Sequence, residues 1–317
     1  MNLLGAKLRI ATILAGIAIA FLAALIISAI SYEFIGISFS FGFFGLLLIL
    51  VLIMDIAQYL FSPFIIGRLQ HLTKVNPSDP NTAWLYSSLQ EVCIYNNQKV
   101  PTLFIAETQA PNAFAYGSII SGRRMAVTRG LLNLLTKDEV EAVMGHEIGH
   151  LKHHDIALLL AIGLIPSIVF YFGYSMLFGG GRKGGNGSII LIAIAMMGVS
   201  FVFNLMILGV NRMRESYADV NSAQSIPGAS TNLQTALAKI VASTPPQRKK
   251  MNRNTSSNTS SMLMFSGFDQ GVREEHRKLI EEWKQMKVKM RHSIFSDHPH
   301  PAKRIQLLEK MKERGYK

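Results

Sequence analysis

Residues 137–155 read KDEVEAVMGHEIGHLKHHD and combine a helix signal with a cluster of histidines. Thr136 and Glu139 form the S/T-x-x-E capping box in front of an amphipathic segment, which predicts that a helix begins here. Asp138 and Glu139 place negative charge at the positive end of that helix. We expect the helix to continue without a break into the apolar run that starts at Ile156.

The pentapeptide HEIGH, which begins at His146, is the strongest chemical signal in this helix. Two histidines four residues apart lie on one helical face, so His146 and His150 can bind the same metal ion. Glu147 lies one step around the helix, where its carboxylate can reach a water molecule on that metal. His153 and His154 follow directly, and a histidine-rich polar face is the alternative interpretation. The position of HEIGH inside a capped helix favours a catalytic metal site.

A third metal ligand is needed, because a catalytic zinc site usually has three protein ligands and one open position. The metzincin pattern would place a histidine ten residues after His146, but that position is Ile156, which excludes this class. The segment RMRESYAD, residues 212–219, is predicted to be helical and offers Glu215 as the ligand. A surface carboxylate flanked by arginines is the alternative for this residue. Asp219, one turn further on, can accept the distal N–H of a ligating histidine.

The apolar segments predict an integral membrane protein. Soluble domains are about 25% charged. Only 16% of this chain is charged, and the deficit is concentrated in four runs that carry no charge. These runs are residues 10–30, 34–54, 156–178 and 189–210. Each reaches the roughly 20 residues that a helix needs to cross a bilayer. The chain is therefore expected to consist of a transmembrane hairpin (1–66), a polar part (67–155), a second hairpin (156–210) and a second polar part (211–317).

The distribution of basic residues predicts the orientation in the membrane. The net charge is +12, and residues 211–317 hold 20 Lys and Arg against 10 Asp and Glu. Such an excess is typical of the cytoplasmic side, so both termini and both polar parts are expected there. The turn at 179–188 carries Arg182 and Lys183, which weakly opposes this orientation. No interleaving of aromatic with basic residues is visible, so we expect no nucleic-acid binding.

The two polar parts are predicted to contain mostly helices and a small sheet. The single cysteine excludes an intrachain disulfide and a thiolate metal cluster, and Cys93 is expected to be a core residue. The predicted elements are a helix at 83–97, strands within 102–107, 113–120 and 124–130, a linker at 243–261, a helix at 272–290, and a closing helix from Pro301 to Gly315 with Ile305, Leu308 and Met311 on one face.

Four motifs together resemble the HtpX membrane zinc metalloproteases, which are gluzincins related to the CAAX prenyl proteases. The motifs are PNAFAYG at 111–117, HEIGH at 146–150, RESYAD at 214–219 and DHPHPAKR at 297–304. They occur in the order found in that family and are interleaved with hydrophobic segments, which makes the match specific. Two positions depart from the pattern: Asn211 stands where a serine is common, and His300 stands where a second proline is common.

The resemblance implies four transmembrane helices and a gluzincin-type cytoplasmic metalloprotease domain with one Zn²⁺ per chain. It assigns His146, His150 and Glu215 as zinc ligands and Glu147 as the catalytic base. The remaining matches are Asn112, Ala113, Phe114 and Ala115 in the segment beside the active site, and His298 and Arg304 in the late His-Pro…Arg motif.

The chemistry of peptide hydrolysis gives these additional residues roles. An edge strand at 112–117 would pair with an extended substrate backbone, although an ordinary buried strand is the alternative. His298 could donate to the oxyanion, with a turn histidine as the alternative and His300 as a competitor for the role. Arg304 is expected to be structural and to tie the closing helix to an acidic residue of the site.

The implied function is cleavage of misfolded or membrane proteins at the cytoplasmic surface of the cell membrane, as part of protein quality control. The expected partners are unfolded or membrane polypeptides and the lipid bilayer. A specific processing or prenyl-peptide protease is one alternative, and a non-catalytic adaptor is another. The intact Glu147 counts against the adaptor. An intramembrane catalytic site is disfavoured, because residues 137–155 carry many ionisable groups that would be costly inside the bilayer.

Overall fold

The computed structural model of the chain describes residues 41–153, 155–178, 187–243, 272–288, 296 and 298–315. The chain forms two compact units. The first comprises Met1–Leu60, Asp155–Arg214 and Ser293–His298, and the second comprises Phe61–His154, Glu215–His292 and Pro299–Lys317.

Helices dominate the described residues, and a small sheet is inserted between them. In chain order the elements are α1 (Phe41–Leu69), β1 (Leu72–Lys74), α2 (Ala83–Tyr95), β2 (Thr102–Ala106), β3 (Ala113–Ser118), β4 (Gly122–Thr128), α3 (Arg129–Leu134), α4 (Lys137–Lys152), α5 (Asp155–Phe178), α6 (Gly187–Ser225), α7 (Ala229–Ala242), α8 (Val272–Gln285) and α9 (Pro301–Glu313). The mainly helical class with a small sheet is therefore confirmed.

Apolar packing between α5 and the first part of α6 forms the core of the first unit. The buried residues of this core are Ile162, Val169, Met196, Phe203 and Val210. The Ser200 hydroxyl donates to the Pro166 carbonyl at 2.7 Å, which bonds the two helices at the proline of α5. The core thus combines apolar contacts with one buried polar link.

Membrane crossing is supported most clearly for α6. Among the described residues, Ile190–Ser225 is the one stretch that is long and apolar enough to cross a bilayer. The third predicted crossing is helical as expected, but its apolar part is shorter, Ile162–Tyr174. The second predicted crossing falls partly within α1, and the first, at 10–30, lies outside the described residues. The four-span arrangement therefore stays a prediction.

The second unit contains a four-stranded mixed sheet in the order β1-β2-β4-β3. Strands β2 and β4 pair in parallel, whereas β1 with β2 and β3 with β4 pair antiparallel. The three predicted strands are present, and β3 lies at an edge of the sheet. The sequence did not reveal β1, because it has only three residues and follows directly on a long helix. Cys93 of α2 is buried, as expected.

Helix α4 begins where the capping box predicts it. The Thr136 hydroxyl accepts from the Glu139 N–H, and the Glu139 carboxylate accepts from the Thr136 N–H at 2.9 Å. The ammonium group of Lys239, in α7, also lies 2.6 Å from this carboxylate. The expectation of an unbroken helix into the next apolar run is wrong. Helix α4 ends at Lys152, because the His153 backbone leaves helical geometry (ψ 7°) and its ring packs edge-on against Tyr217.

The closing helices pack on α7 through a second apolar core. Its buried members are Ala238, Ile280, Trp283, Ala302 and Ile305. The predicted end of α8 at 290 is wrong, since the helix ends at Gln285. The side-chain amide of Gln306 in α9 donates to the carbonyl of Trp283, in the last turn of α8, and to that of Met286, directly after the helix. The predicted linker at 243–261 lies outside the described residues apart from Ser243.

Candidate metal centre

Two helices bring three metal-binding side chains together in the second unit. His146 and His150 lie one turn apart on α4, with their Nε2 atoms 3.2 Å from each other. Glu215 projects from α6 toward both rings. Its Oε2 lies 3.6 Å from Nε2 of His146, and its Oε1 lies 3.5 Å from Nε2 of His150.

The spacing of these donor atoms fits one zinc ion. Three ligands at about 2.0–2.1 Å from a tetrahedral zinc lie roughly 3.3 Å from one another. The observed separations of 3.2–3.6 Å match this value without movement of the backbone. Two imidazoles and one carboxylate form a donor set typical of catalytic zinc, which leaves one position open. Among the described residues, this group alone offers three such ligand atoms within 4.8 Å of one another.

Two glycines of α4 allow the close contact with α6 that the three-residue cluster requires. Gly145 and Gly149 are one turn apart and face α6. A Cβ atom added at Gly149 would lie 3.2 Å from Cα of Ala218 and 3.3 Å from Cβ of Asn221. One added at Gly145 would lie 3.0 Å from Oγ of Ser222 in α6 and would collide with the end of the Ile226 side chain, directly after α6. This role is not among the sequence-based predictions, although a glycine directly precedes each of the two histidines, four residues apart.

Replacement of Gly149 by valine is expected to lower zinc affinity about 5- to 150-fold, since overpacking at such a contact costs about 1–3 kcal/mol. The added methyl groups would push α4 away from α6 and separate the histidines from Glu215. A competition titration with a zinc chelator measures the effect. Gly67→Val is the control, because nothing lies within 4 Å of the corresponding Cβ. Unchanged zinc affinity in a folded Gly149→Val protein would contradict this account of the helix contact.

Asp219 and Arg304 fix the orientation of the His146 ring through contacts on its Nδ1 side. Nδ1 of His146 lies 2.9 Å from Oδ1 of Asp219, so this nitrogen carries the proton and Nε2 points toward Glu215. Arg304, in α9, donates to both oxygens of Asp219, at 2.6 and 2.8 Å. The contact expected between the closing helix and an acidic residue of the site is thus present, and the acidic residue is Asp219.

The same contacts raise the pKa of His146 in the metal-free protein. Burial disfavours the charged imidazolium, but the hydrogen bonds to Asp219 and Glu215 outweigh it and raise the pKa to about 10. Zinc binds the neutral imidazole through Nε2, so uptake of the metal displaces the Nε2 proton of the imidazolium and leaves the Nδ1 proton beside Asp219.

Glu147 faces the edge strand and lies outside the group of three ligand atoms. Its Oε2 accepts a hydrogen bond of 2.8 Å from the backbone N–H of Ala115 in β3. Asn112 exchanges hydrogen bonds with Thr128 on the opposite side of the strand. Because backbone groups alternate along an antiparallel strand, those of Ala113 and Ala115 point away from β4, toward the free edge. The carboxylate therefore lies directly beside this edge.

The two late histidines differ in their surroundings. His300 is the N-cap of α9, and its Nδ1 accepts a hydrogen bond of 3.2 Å from the N–H of Ala302. The backbone carbonyl of His298 accepts from the Ser296 hydroxyl at 2.8 Å. His298 falls in the first compact unit, whereas the three candidate ligands fall in the second. Its assignment to the oxyanion stays a prediction.

Comparisons with known proteins agree with this chemistry. The profile of peptidase family M48 matches residues 80–312. A protein named protease HtpX homolog from Thermoplasma acidophilum is 51% identical over 98% of this chain and 99% of its own length. One of the same name from Picrophilus torridus is 52% identical over 98% of this chain and 99% of its own length.

The fold is also similar to that of a solved structure with low sequence identity. It is the crystal structure of S. mikatae Ste24p, which superposes with a TM-score of 0.55 and is 16% identical. The match covers 96% of this chain and 67% of that one.

Proposed function

The chain belongs to peptidase family M48, a metalloprotease family, and from this premise we propose that it is a membrane-anchored zinc endopeptidase that cleaves misfolded or membrane proteins at the cytoplasmic face. The observation that carries the proposal is the meeting of His146, His150 and Glu215 with Glu147 beside them. The first three form a binding site for one zinc ion per chain. Glu147 supplies a carboxylate adjacent to that site, where a general base must lie.

Each residue of the site has a separate role in the proposed peptide hydrolysis. A bound zinc ion would act as a Lewis acid toward the scissile carbonyl and lower the pKa of a water molecule. Glu147 takes the proton of the attacking water and delivers it to the leaving amine. Asp219 holds His146 in the tautomer that leaves Nε2 available, and Arg304 keeps Asp219 ionised and in place. His298 is proposed to donate to the developing oxyanion.

The free edge of β3 provides the proposed binding surface for the substrate. A peptide in extended conformation can add to the outward-facing backbone groups of Ala113 and to the outward-facing carbonyl of Ala115, with Asn112 and Phe114 completing the strand. The bond from Ala115 to Glu147 shows that this edge lies within one hydrogen bond of the proposed base. Recognition through main-chain groups tolerates many sequences, which suits a protease of unfolded proteins.

Removal and restoration of the metal tests the proposed activity. We expect purified protein treated with a zinc chelator to lose cleavage of an unfolded protein such as casein, and to regain it on addition of zinc. A farnesylated peptide tested in parallel separates the alternatives. Cleavage of the peptide alone would favour a processing protease, and cleavage of neither substrate by zinc-loaded protein would favour an adaptor.

The orientation in the membrane gives a separate prediction. We expect a cysteine at position 186, between the third and fourth predicted crossings, to react with an impermeant maleimide only from outside the cell. The native cysteine contributes little background, because burial raises the pKa of the Cys93 thiol to about 11. A Cys93→Ala protein with Lys310→Cys is the control that should react only from the cytoplasm. Labelling of position 186 only from the cytoplasm would reverse the orientation.

A further inference from the structure

The turn between β3 and β4 exposes two bulky apolar side chains next to each other. This hairpin tip comprises residues 118–122, SIISG. Ile119 is 86% exposed and Ile120 is 61% exposed. The tip immediately follows the edge strand that lies beside the zinc site, yet no step of the proposed hydrolysis uses it. Adjacent exposed isoleucines at the end of a hairpin indicate a contact with another apolar phase.

Polar groups at the base of the tip are bonded within the tip itself. The Ser118 N–H donates to the Ser121 hydroxyl at 2.9 Å, and the Ser121 N–H donates to the Ser118 hydroxyl at 3.2 Å. The Ser121 hydroxyl in turn donates to the Gly122 carbonyl at 3.1 Å. Groups that are already paired cost less to remove from water than unpaired ones. Transfer of the tip out of bulk water, with Ile119 and Ile120 entering first, therefore leaves these serine groups paired.

Arg124 connects the tip to the end of α1. Its Nε donates to the Ser121 carbonyl at 3.3 Å, and its guanidinium lies 5.0 Å from the centre of the Phe64 ring. Phe64 is itself 45% exposed, and the same end of α1 exposes Phe61, Ile65 and Leu69. Toward its N-terminus, α1 continues into the apolar run that is predicted to cross the membrane. The tip thus lies beside an apolar surface that leads along the chain into the bilayer.

We propose that the hairpin tip inserts into the interfacial region of the lipid bilayer. Ile119 and Ile120 enter the boundary of the acyl chains, and Arg123 and Arg124 lie at the level of the anionic phosphates. An apolar tip followed by two arginines matches the layered chemistry of a membrane surface, with hydrocarbon beneath negative headgroups. The insertion holds the edge of β3 at the membrane surface, where segments of membrane proteins emerge. It rests on the proposed membrane location but goes beyond it.

Fluorescence quenching by labelled lipids tests the insertion. The full chain carrying Cys93→Ala and Ile119→Cys is labelled with an environment-sensitive fluorophore and reconstituted into phosphatidylcholine–phosphatidylglycerol vesicles. We expect the emission to shift to the blue and to be quenched by lipids with a spin label near the headgroup. Lys310→Cys, on the exposed side of α9, is the control that should show neither change. Val202→Cys, exposed on α6, should be quenched by a spin label deep in the acyl chain.

Second-site variants make the test specific for apolar insertion. Ile120→Asp should abolish quenching at position 119, because a carboxylate resists entry into the bilayer, whereas Ile120→Leu should preserve it. A quenched α6 probe with an unquenched tip probe would overturn the insertion alone. Absence of quenching at both positions would overturn the membrane location and the insertion together. A tip probe that responds to casein but not to lipid would show a polypeptide-binding surface instead, and would also overturn the proposal.

Discussion

Replacement of Glu147 by glutamine is expected to lower peptidase activity by at least about 100-fold, the lower end of what a general base contributes. Glutamine keeps the size of the side chain and can still accept the hydrogen bond from the Ala115 N–H. It cannot take a proton from the attacking water. Because the carboxylate is not one of the three candidate ligands, the variant should retain close to one zinc ion per chain and fold normally.

Activity and metal content must be measured on the same sample. Casein hydrolysis gives the rate, and elemental analysis gives the zinc content. Glu141→Gln is a matched control on the same helix, since Glu141 bonds to Ser88 and is not part of the candidate site. The Glu147→Gln protein should also be protected from self-cleavage during purification. Full proteolysis by a zinc-loaded Glu147→Gln protein would refute the role of this carboxylate.

The loss of one ligand is the second large effect. We expect Glu215→Ala, His146→Ala and His150→Ala each to reduce bound zinc from near one per chain to near zero, with loss of all peptidase activity. Two remaining ligands do not hold a catalytic zinc, which normally has three. The separations of 3.2–3.6 Å would allow all three donors to bind the same ion.

His153→Ala is the matched control for ligand loss. The His153 ring packs edge-on against Tyr217, with 4.0 Å between ring centres, and is not in the group that can hold a metal. This variant should retain its zinc. Stoichiometric zinc in Glu215→Ala would remove Glu215 from the coordination sphere, and loss of zinc in His153→Ala alone would point to a different set of histidines.

Local sequence signals predicted the parts of the site that depend on helical geometry. The spacing within HEIGH places His146 and His150 on one face, and the capping box at Thr136 marks the start of their helix. The same helical spacing places Asp219 one turn beyond Glu215, and its carboxylate does contact His146. These features repeat at intervals of three or four residues, so they can be read from the sequence without knowledge of the tertiary structure.

Apart from the expected contact of Arg304 with an acidic residue of the site, contacts between distant segments were not predictable in this way. The bond between Ala115 and Glu147 joins residues 32 positions apart. The end of α8 depends on Gln306, which lies about 20 positions beyond the carbonyls that it satisfies. The Gly149 contact depends on which residues of α6 lie opposite. No single-segment pattern contains this information, because tertiary packing determines which partners meet.

X-ray absorption at the zinc edge of a Glu215→Cys variant is the most direct test of the central claim. Wild-type protein should show only nitrogen and oxygen neighbours at about 2.0–2.1 Å, whereas the variant should show one sulfur neighbour at about 2.3 Å. His153→Cys, in contrast, should show no sulfur neighbour. A sulfur atom bound to zinc only in the Glu215→Cys protein would demonstrate that this position completes the site with His146 and His150. Zinc that is retained without a sulfur neighbour in Glu215→Cys would contradict the account.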